Sequence, residues 1–163
     1  MKILHYTPTY APAWQYGGPI LCSSQLCETL VRFGHSVDVV TTNAGLDNIQ
    51  NNEQIMRNGV SVRYMAFKYF LGIHSKNMEQ YVVESVNKYD IVHISGVWQP
   101  TITKACQECL KRDIPYILSL HGSLSPYSWS QKTFKKYIYY LWRERYNTSK
   151  ASGIHYTTLS EKN

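Results

Sequence analysis

Three short stretches of the sequence set residues able to bind or polarise a ligand beside glycines that clear space for one. The first is Tyr16-Gly17-Gly18-Pro19, which closes a loop following the run Lys2–Tyr6. Paired glycines let a ligand approach the backbone, and the unpaired N–H groups of a helix start attract an anion such as a diphosphate. The same two glycines serve equally well in a plain tight turn. The second stretch, Gly96-Val97-Trp98-Gln99-Pro100, is a glycine turn that presents an indole. An indole face stacks on the C–H groups of a sugar ring, and it also packs readily on a neighbouring helix. The third is His121-Gly122-Ser123, where an imidazole that donates or accepts near neutral pH stands next to a glycine. Its alternative is a hydrogen-bonded structural histidine, which is also how His93, inside a strand-like run, is read.

Several chemistries are excluded by what these stretches lack. No G-x-G-x-x-G follows the first apolar run, and the second ends in Thr41-Thr42-Asn43 without an acid to hold a ribose, so a nicotinamide-dependent dehydrogenase is not indicated. None of the eleven acidic residues directly follows the three runs that precede these stretches, so no carboxylate pair for glycoside hydrolysis is visible. A G-x-S-x-G nucleophile elbow is absent as well. Cys22 with Cys27 and Cys106 with Cys109 invite a zinc reading, but at helical spacing Cys22 and Cys27 point about 140° apart. Ordinary thiols are the simpler assignment, and no metal is expected.

The elements that must position these stretches alternate in type. Lys2–Tyr6, Ser36–Thr41, Val60–Tyr64, Asp90–Ser95, Tyr116–Leu120 and Ile154–Thr157 read as strands. Between them Ile20–Phe33 and Thr101–Arg112 read as helices, the first with Pro19 in its opening turn and Gly34 past its end, and Tyr81–Lys88 reads as a shorter helix. Alternating strands and helices make βαβ units, hence an α/β fold with a Rossmann-like parallel sheet and helices on both faces. Ligands of such sheets bind at the carboxyl ends of the strands, where all three stretches fall. Asn43–Gly59 is polar, with Asn51-Asn52 and Asn58-Gly59 as turn signals, and reads as a long connection.

With 163 residues, 44% hydrophobic and 17% charged, the chain has the size and composition of one globular domain, 1–163. No apolar stretch approaches the roughly 18 residues a membrane span needs, and the opening MKILHY is not a signal peptide, so a cytoplasmic location is expected. The net charge of +6 is concentrated between Gln131 and Lys150, which hold six basic residues and one acidic. If Gln131–Ser149 is one helix, steps of about 100° bring Lys132, Lys136, Arg143 and Lys150 into a wedge of roughly 40°, with Phe134, Ile138 and Leu141 on the other side. Such a face is either simply solvated or rests on an anionic membrane surface. With no recognised nucleic-acid-binding motif, nucleic acid is not expected as a partner.

Taken in order, KILHYTPTYAP, GGP at a helix start, RFGHSVDVVTT, YDIVHISGVW, YILSLHG and GIHYTTLSE resemble the N-terminal domain of glycosyltransferase family 4, the bacterial cell-surface polysaccharide enzymes. The resemblance spans essentially the whole chain. It implies the N-terminal half of a fold with two Rossmann-like domains facing a cleft (GT-B): this half binds the acceptor, and the other holds most of the nucleotide-sugar donor. It further implies transfer with retention of anomeric configuration, without a metal or other cofactor, to a glycan or lipid-linked acceptor, peripherally at the inner face of the cytoplasmic membrane. Residue by residue, Gly17 and Gly18 match the glycine loop near the donor diphosphate and acceptor, and His121 matches the histidine that faces the reacting sugar. Tyr16, Gly96, Trp98, Ser123 and Glu161 are the acceptor-side candidates. The chain stops where a helix should open at Ser160, so it is expected to be truncated before a donor domain supplied in cis or in trans, and to be inactive alone. The rival readings are a non-catalytic glycan- or lipid-binding module or decayed fragment working with a partner chain, and a plain nucleotide-binding domain.

Overall fold

The structure is a computed structural model and describes residues 1–70, 72–122 and 145–158. In chain order it contains β1 (Lys2–Tyr6), α1 (Gly18–Arg32), β2 (Ser36–Thr42), β3 (Glu53–Arg57), β4 (Val60–Met65), β5 (Lys68–Tyr69), β6 (Ile73–His74), α2 (Lys76–Ser85), β7 (Ile91–Ser95), α3 (Pro100–Lys111), β8 (Tyr116–Ser119), α4 (Arg145–Lys150) and β9 (Gly153–His155). One-turn helices at Trp14–Tyr16 and Val86–Lys88 precede α1 and follow α2. Seven strands form one sheet in the order β3-β4-β2-β1-β7-β8-β9, while β5 and β6 pair as a separate two-stranded ribbon. All pairings in the large sheet are parallel except β3 with β4. This is the Rossmann-like α/β arrangement that the strand and helix alternation predicts.

Because both faces of the central strands are covered, their residues are buried almost without interruption, as in Leu4 to Tyr6 and Val92 to Ser95. Alternation along each strand then divides the core in two. On one face Leu4, Tyr6, Val92, Ile94 and Leu118 pack with Met78 and Val82 of α2 and Ile102, Ala105, Cys106 and Cys109 of α3. The α3 set recurs at the i, i+3, i+4, i+7 spacing of an amphipathic helix. On the other face Ile3, Val37, Val39, Val60, Val62 and Tyr64 pack with Ile20 and Cys27 of α1. Pro19 and Pro100 occupy the opening positions of α1 and α3, where a missing N–H costs nothing.

The structure corrects the sequence reading in three places. The polar stretch Asn43–Gly59 is not only a connection: Glu53–Arg57 forms the antiparallel edge strand β3, joined to β4 by Asn58-Gly59 with φ of +48° and +83°. Both positive values match the type I′ hairpin that Asn-Gly favours. An edge strand alternating between exposed and half-buried positions needs few apolar residues, so β3 carries no hydrophobic signal. Helix α2 begins at Lys76 rather than Tyr81, capped by the Ser75 side chain, which accepts from the Met78 N–H at 3.3 Å. The β5–β6 ribbon falls in a stretch the sequence leaves unassigned. Of the basic segment 131–149 only Arg145 onward is described, where α4 exposes Tyr146 and Lys150. Among the described residues no helix is long and apolar enough to cross a membrane.

Candidate functional site

The chain leaves β1 to build β2 and β4 on one side, then returns to place β7 and β8 on the other. The carboxyl ends of β1 and β7 therefore flank the switch point where a crevice opens in sheets of this kind. A cavity of about 170 Å³ lies there, lined by Thr7, Pro8 and Thr9 after β1, Pro19 of α1, Ser95 at the end of β7 with Gly96, Val97 and Gln99 after it, and His121 after β8. Thus His121, Gly96 and the start of α1, three separate motifs in the sequence, meet at one place.

The loop between β1 and α1 is held firmly. The Thr42 hydroxyl donates to the Pro8 carbonyl at 2.6 Å, and the Thr7 N–H donates to the Val40 carbonyl at 3.1 Å. The buried Tyr64 hydroxyl donates to the Ala11 carbonyl, and Gln15 Nε2 donates to the Gly45 carbonyl at 2.7 Å. Tyr10, Ala11 and Ala13 are themselves buried. Gly17 caps α1 with a φ of +80°, a conformation that favours glycine, and no side chain caps that helix end. A Cβ at Gly18 would meet nothing within 4 Å, so neither crowding nor backbone conformation requires glycine there.

His121 has a φ of +50° and lies half-buried, with Nε2 3.3 Å from the Ser95 hydroxyl. Trp98 packs against the apolar cluster of α2 and α3, and Gln99 takes the place in the cavity wall. Tyr16 is exposed, with its hydroxyl 3.5 Å from that of Tyr69 in the ribbon. The ribbon reaches the cavity wall at Gly72, where a Cβ would come within 3.2 Å of the Gln99 side chain. Ser123, Glu161, Lys132, Lys136 and Arg143 lie outside the described residues.

Behind the cavity a line of polar side chains crosses the α1 face of the sheet. His5 Nδ1 lies 2.8 Å from His93 Nδ1, His93 Nε2 lies 2.8 Å from the Ser119 hydroxyl, and that hydroxyl lies 2.7 Å from His155 Nδ1. One proton arrangement fits best: His5 Nδ1–H donates to His93, His93 Nε2–H donates to Ser119, and the Ser119 hydroxyl donates to His155. The unmatched buried atom is then His5 Nε2 as a bare acceptor, whereas the reverse order would strand an N–H donor there. Burial first, then the neighbouring His93 and His121, holds the His5 pKa well below its ordinary value. The same burial, with His155 and His121 close by, lowers that of His93 to about 4. Both rings are neutral at neutral pH. A pair of adjacent histidines linked through a third strand is not a pattern that sequence spacing reveals, and Thr7, Thr9, Ser95 and Gln99 carry no signal beyond lying at or just after strand ends.

Cys27, Cys106 and Cys109 are buried and Cys22 is exposed, and burial pushes the Cys27 and Cys109 thiols up to about 12. Among the described residues no three His, Cys, Asp or Glu side chains stand together as a metal-ligand set.

The chain is a Rossmann-like α/β domain with a cavity at the switch point, walled by the start of α1, a glycine turn after β7 and a histidine after β8. The sequence pattern of the glycosyl transferase 4-like domain family matches residues 17–162, and the chain belongs to that family. It is 32% identical over 127 residues to an uncharacterized glycosyltransferase of Methanocaldococcus jannaschii, a match that takes in 76% of this chain and 31% of that protein. The chain thus spans about a third of that relative. In fold it is similar to sucrose-phosphate synthase of Thermosynechococcus elongatus (TM-score 0.59, 13% identity, 94% of this chain and 42% of that one). It is likewise similar to a UDP-GlcNAc 2-epimerase of Neisseria meningitidis solved with UDP-GlcNAc (TM-score 0.60, 16% identity, 100% and 42%). Family and fold agree: the chain is a glycosyl transferase 4-like domain with a Rossmann-like sheet.

Proposed function

We propose that this domain is the acceptor-binding half of a retaining glycosyltransferase, which moves a sugar from a nucleotide-sugar donor to a glycan or lipid-linked acceptor in cell-surface polysaccharide synthesis. The observation that carries this reading is the meeting of His121, Gly96 and the Thr7–Thr9 loop with the start of α1 around one cavity. At about 170 Å³ that cavity is smaller than the roughly 300–1,000 Å³ of sites that enclose a drug-sized ligand, as suits a half-site closed by a facing domain. In this reading His121 hydrogen-bonds a hydroxyl of the reacting sugar, with Ser95 fixing its ring. Gly17 and Gly18 let the diphosphate and acceptor approach the uncapped start of α1. Tyr16 supplies an exposed aromatic edge. The negative charge that builds on the leaving diphosphate needs donors beyond those placed here, and a donor domain in cis or in trans would provide them. No metal or other cofactor is required. The exposed Lys150 and Tyr146 belong to the face that would rest on anionic lipid, with Lys132, Lys136 and Arg143 as further contacts, setting the protein at the inner membrane surface.

The test is turnover of the intact gene product. His121→Ala should lower kcat by about 10²–10⁴ while nucleotide-sugar binding is kept, as expected when a group acting mainly on the transition state is lost. Unchanged turnover in that variant would sink the assignment.

A further inference from the structure

At the amino ends of the same strands, on the face covered by α2, lies a second cavity of about 220 Å³. Its wall carries three cations, Lys2, Arg63 and Lys88, and one carboxylate, Asp38. Lys2 opens β1 and Thr7 follows its end, so this cavity is roughly 17 Å along the sheet from the one at the switch point.

The cations are arranged rather than scattered. Arg63 donates to Asn52 Oδ1 at 3.0 Å and to Gln54 Oε1, two neutral amide oxygens that orient the guanidinium without neutralising it. Its carbon lies 5.9 Å from the centre of the Tyr81 ring. Among the described residues, neither Arg63 nor Lys88 has a carboxylate within 4.0 Å, and Lys2 is 3.9 Å from Asp38. Asp38 also accepts from the Tyr89 hydroxyl at 2.9 Å, and the Tyr81 and Tyr89 hydroxyls are 2.9 Å apart. That chain of hydroxyls engages Asp38, the one acid among the described residues of the wall, and a guanidinium fork suits a partner with several acceptor oxygens.

We propose that this cavity binds a phosphate group, with Arg63 as the oriented fork and Lys2 and Lys88 as flanking charges. The ligand is a phosphate monoester or a phospholipid headgroup, bound apart from the switch-point cavity and independently of the reaction proposed there.

Titration of the isotope-labelled chain with inorganic phosphate, against chloride at matched ionic strength, tests this by amide chemical shifts. Saturable shifts at Ser61, Arg63, Tyr81 and Lys88 are expected. Arg63→Gln should weaken binding about tenfold and the exposed Lys88→Gln about threefold, whereas Asp38→Asn should tighten it. Shifts that do not saturate, or an affinity that all three substitutions leave unchanged, would overturn the site. Co-sedimentation with phosphatidylcholine vesicles, with and without phosphatidic acid, separates the two sources. Capture by phosphatidic acid that Arg63→Gln removes identifies a headgroup, and phosphate binding without capture identifies a soluble monoester.

Discussion

The two faces of the central strands are built from alternate residues of the same few segments, yet they differ in kind. Facing α2 and α3, Leu4, Tyr6, Val92, Ile94 and Leu118 make a dry core. One residue along each strand, His5, His93, Ser119 and His155 face the other way and join in a hydrogen-bonded line that leads toward Ser95 and His121. Both faces carry an apolar cluster, and on the α1 face Ile3, Val37, Val39 and Ile20 accompany the buried polar groups. Those groups are costly when unpaired, and here all but His5 Nε2 find a partner along the line. The difference shows how a parallel sheet can carry an apolar core on one side and a buried polar line on the other.

The contrast is tested most strongly on the dry face. Ile94→Ala should cost about 2–5 kcal/mol with little dependence on pH, read from urea unfolding at pH 7 and pH 5. A pH-dependent loss would mean that the two faces are not separable.

The polar face should show the opposite signature. His93 is neutral when folded, with a pKa near 4, but takes up a proton near 6.5 when unfolded. The unfolded state therefore binds more protons between these values, so stability is complete above about pH 6.5 and falls as the pH drops toward 4. The loss from His93 alone should be on the order of 3 kcal/mol. His93→Gln keeps an amide to bond Ser119 while removing the titration, and it should flatten this acid limb. An equally steep limb in that variant would assign the pH dependence elsewhere.

A smaller effect concerns the loop above the polar face. Tyr64→Phe removes the hydroxyl that donates to Ala11 and should cost about 1 kcal/mol, with faster proteolysis between β1 and α1. Unchanged cleavage would show that Thr42 and Gln15 alone hold the loop.

How much of this could be read in advance follows from the same contrast. Strands covered on both faces announce themselves as apolar runs, and so the α/β order, Gly17 at the start of α1, and Gly96 and His121 after strands were all legible. Edge strand β3 was not, because one sheet neighbour and much solvent demand little hydrophobicity. The Ser75 cap was visible only once the helix it starts was known. The polar line depends on lateral register between strands far apart in the sequence, His5 opposite His93 and Ser119 opposite His155, which periodicity within a strand cannot supply. Trp98 stood after a strand as a sugar-stacking candidate, yet its φ of +69° accompanies packing on the core.

The claim that this domain is an acceptor half is tested most directly by binding to the chain itself. Oligosaccharides and lipid-linked sugars should shift the amides of Thr7, Thr9, Ser95, Gly96 and His121, while nucleotide sugars alone leave them nearly unmoved. Tight, saturable binding of a nucleotide sugar at those residues, with no response to any acceptor, would contradict the account and make this a nucleotide-binding domain instead.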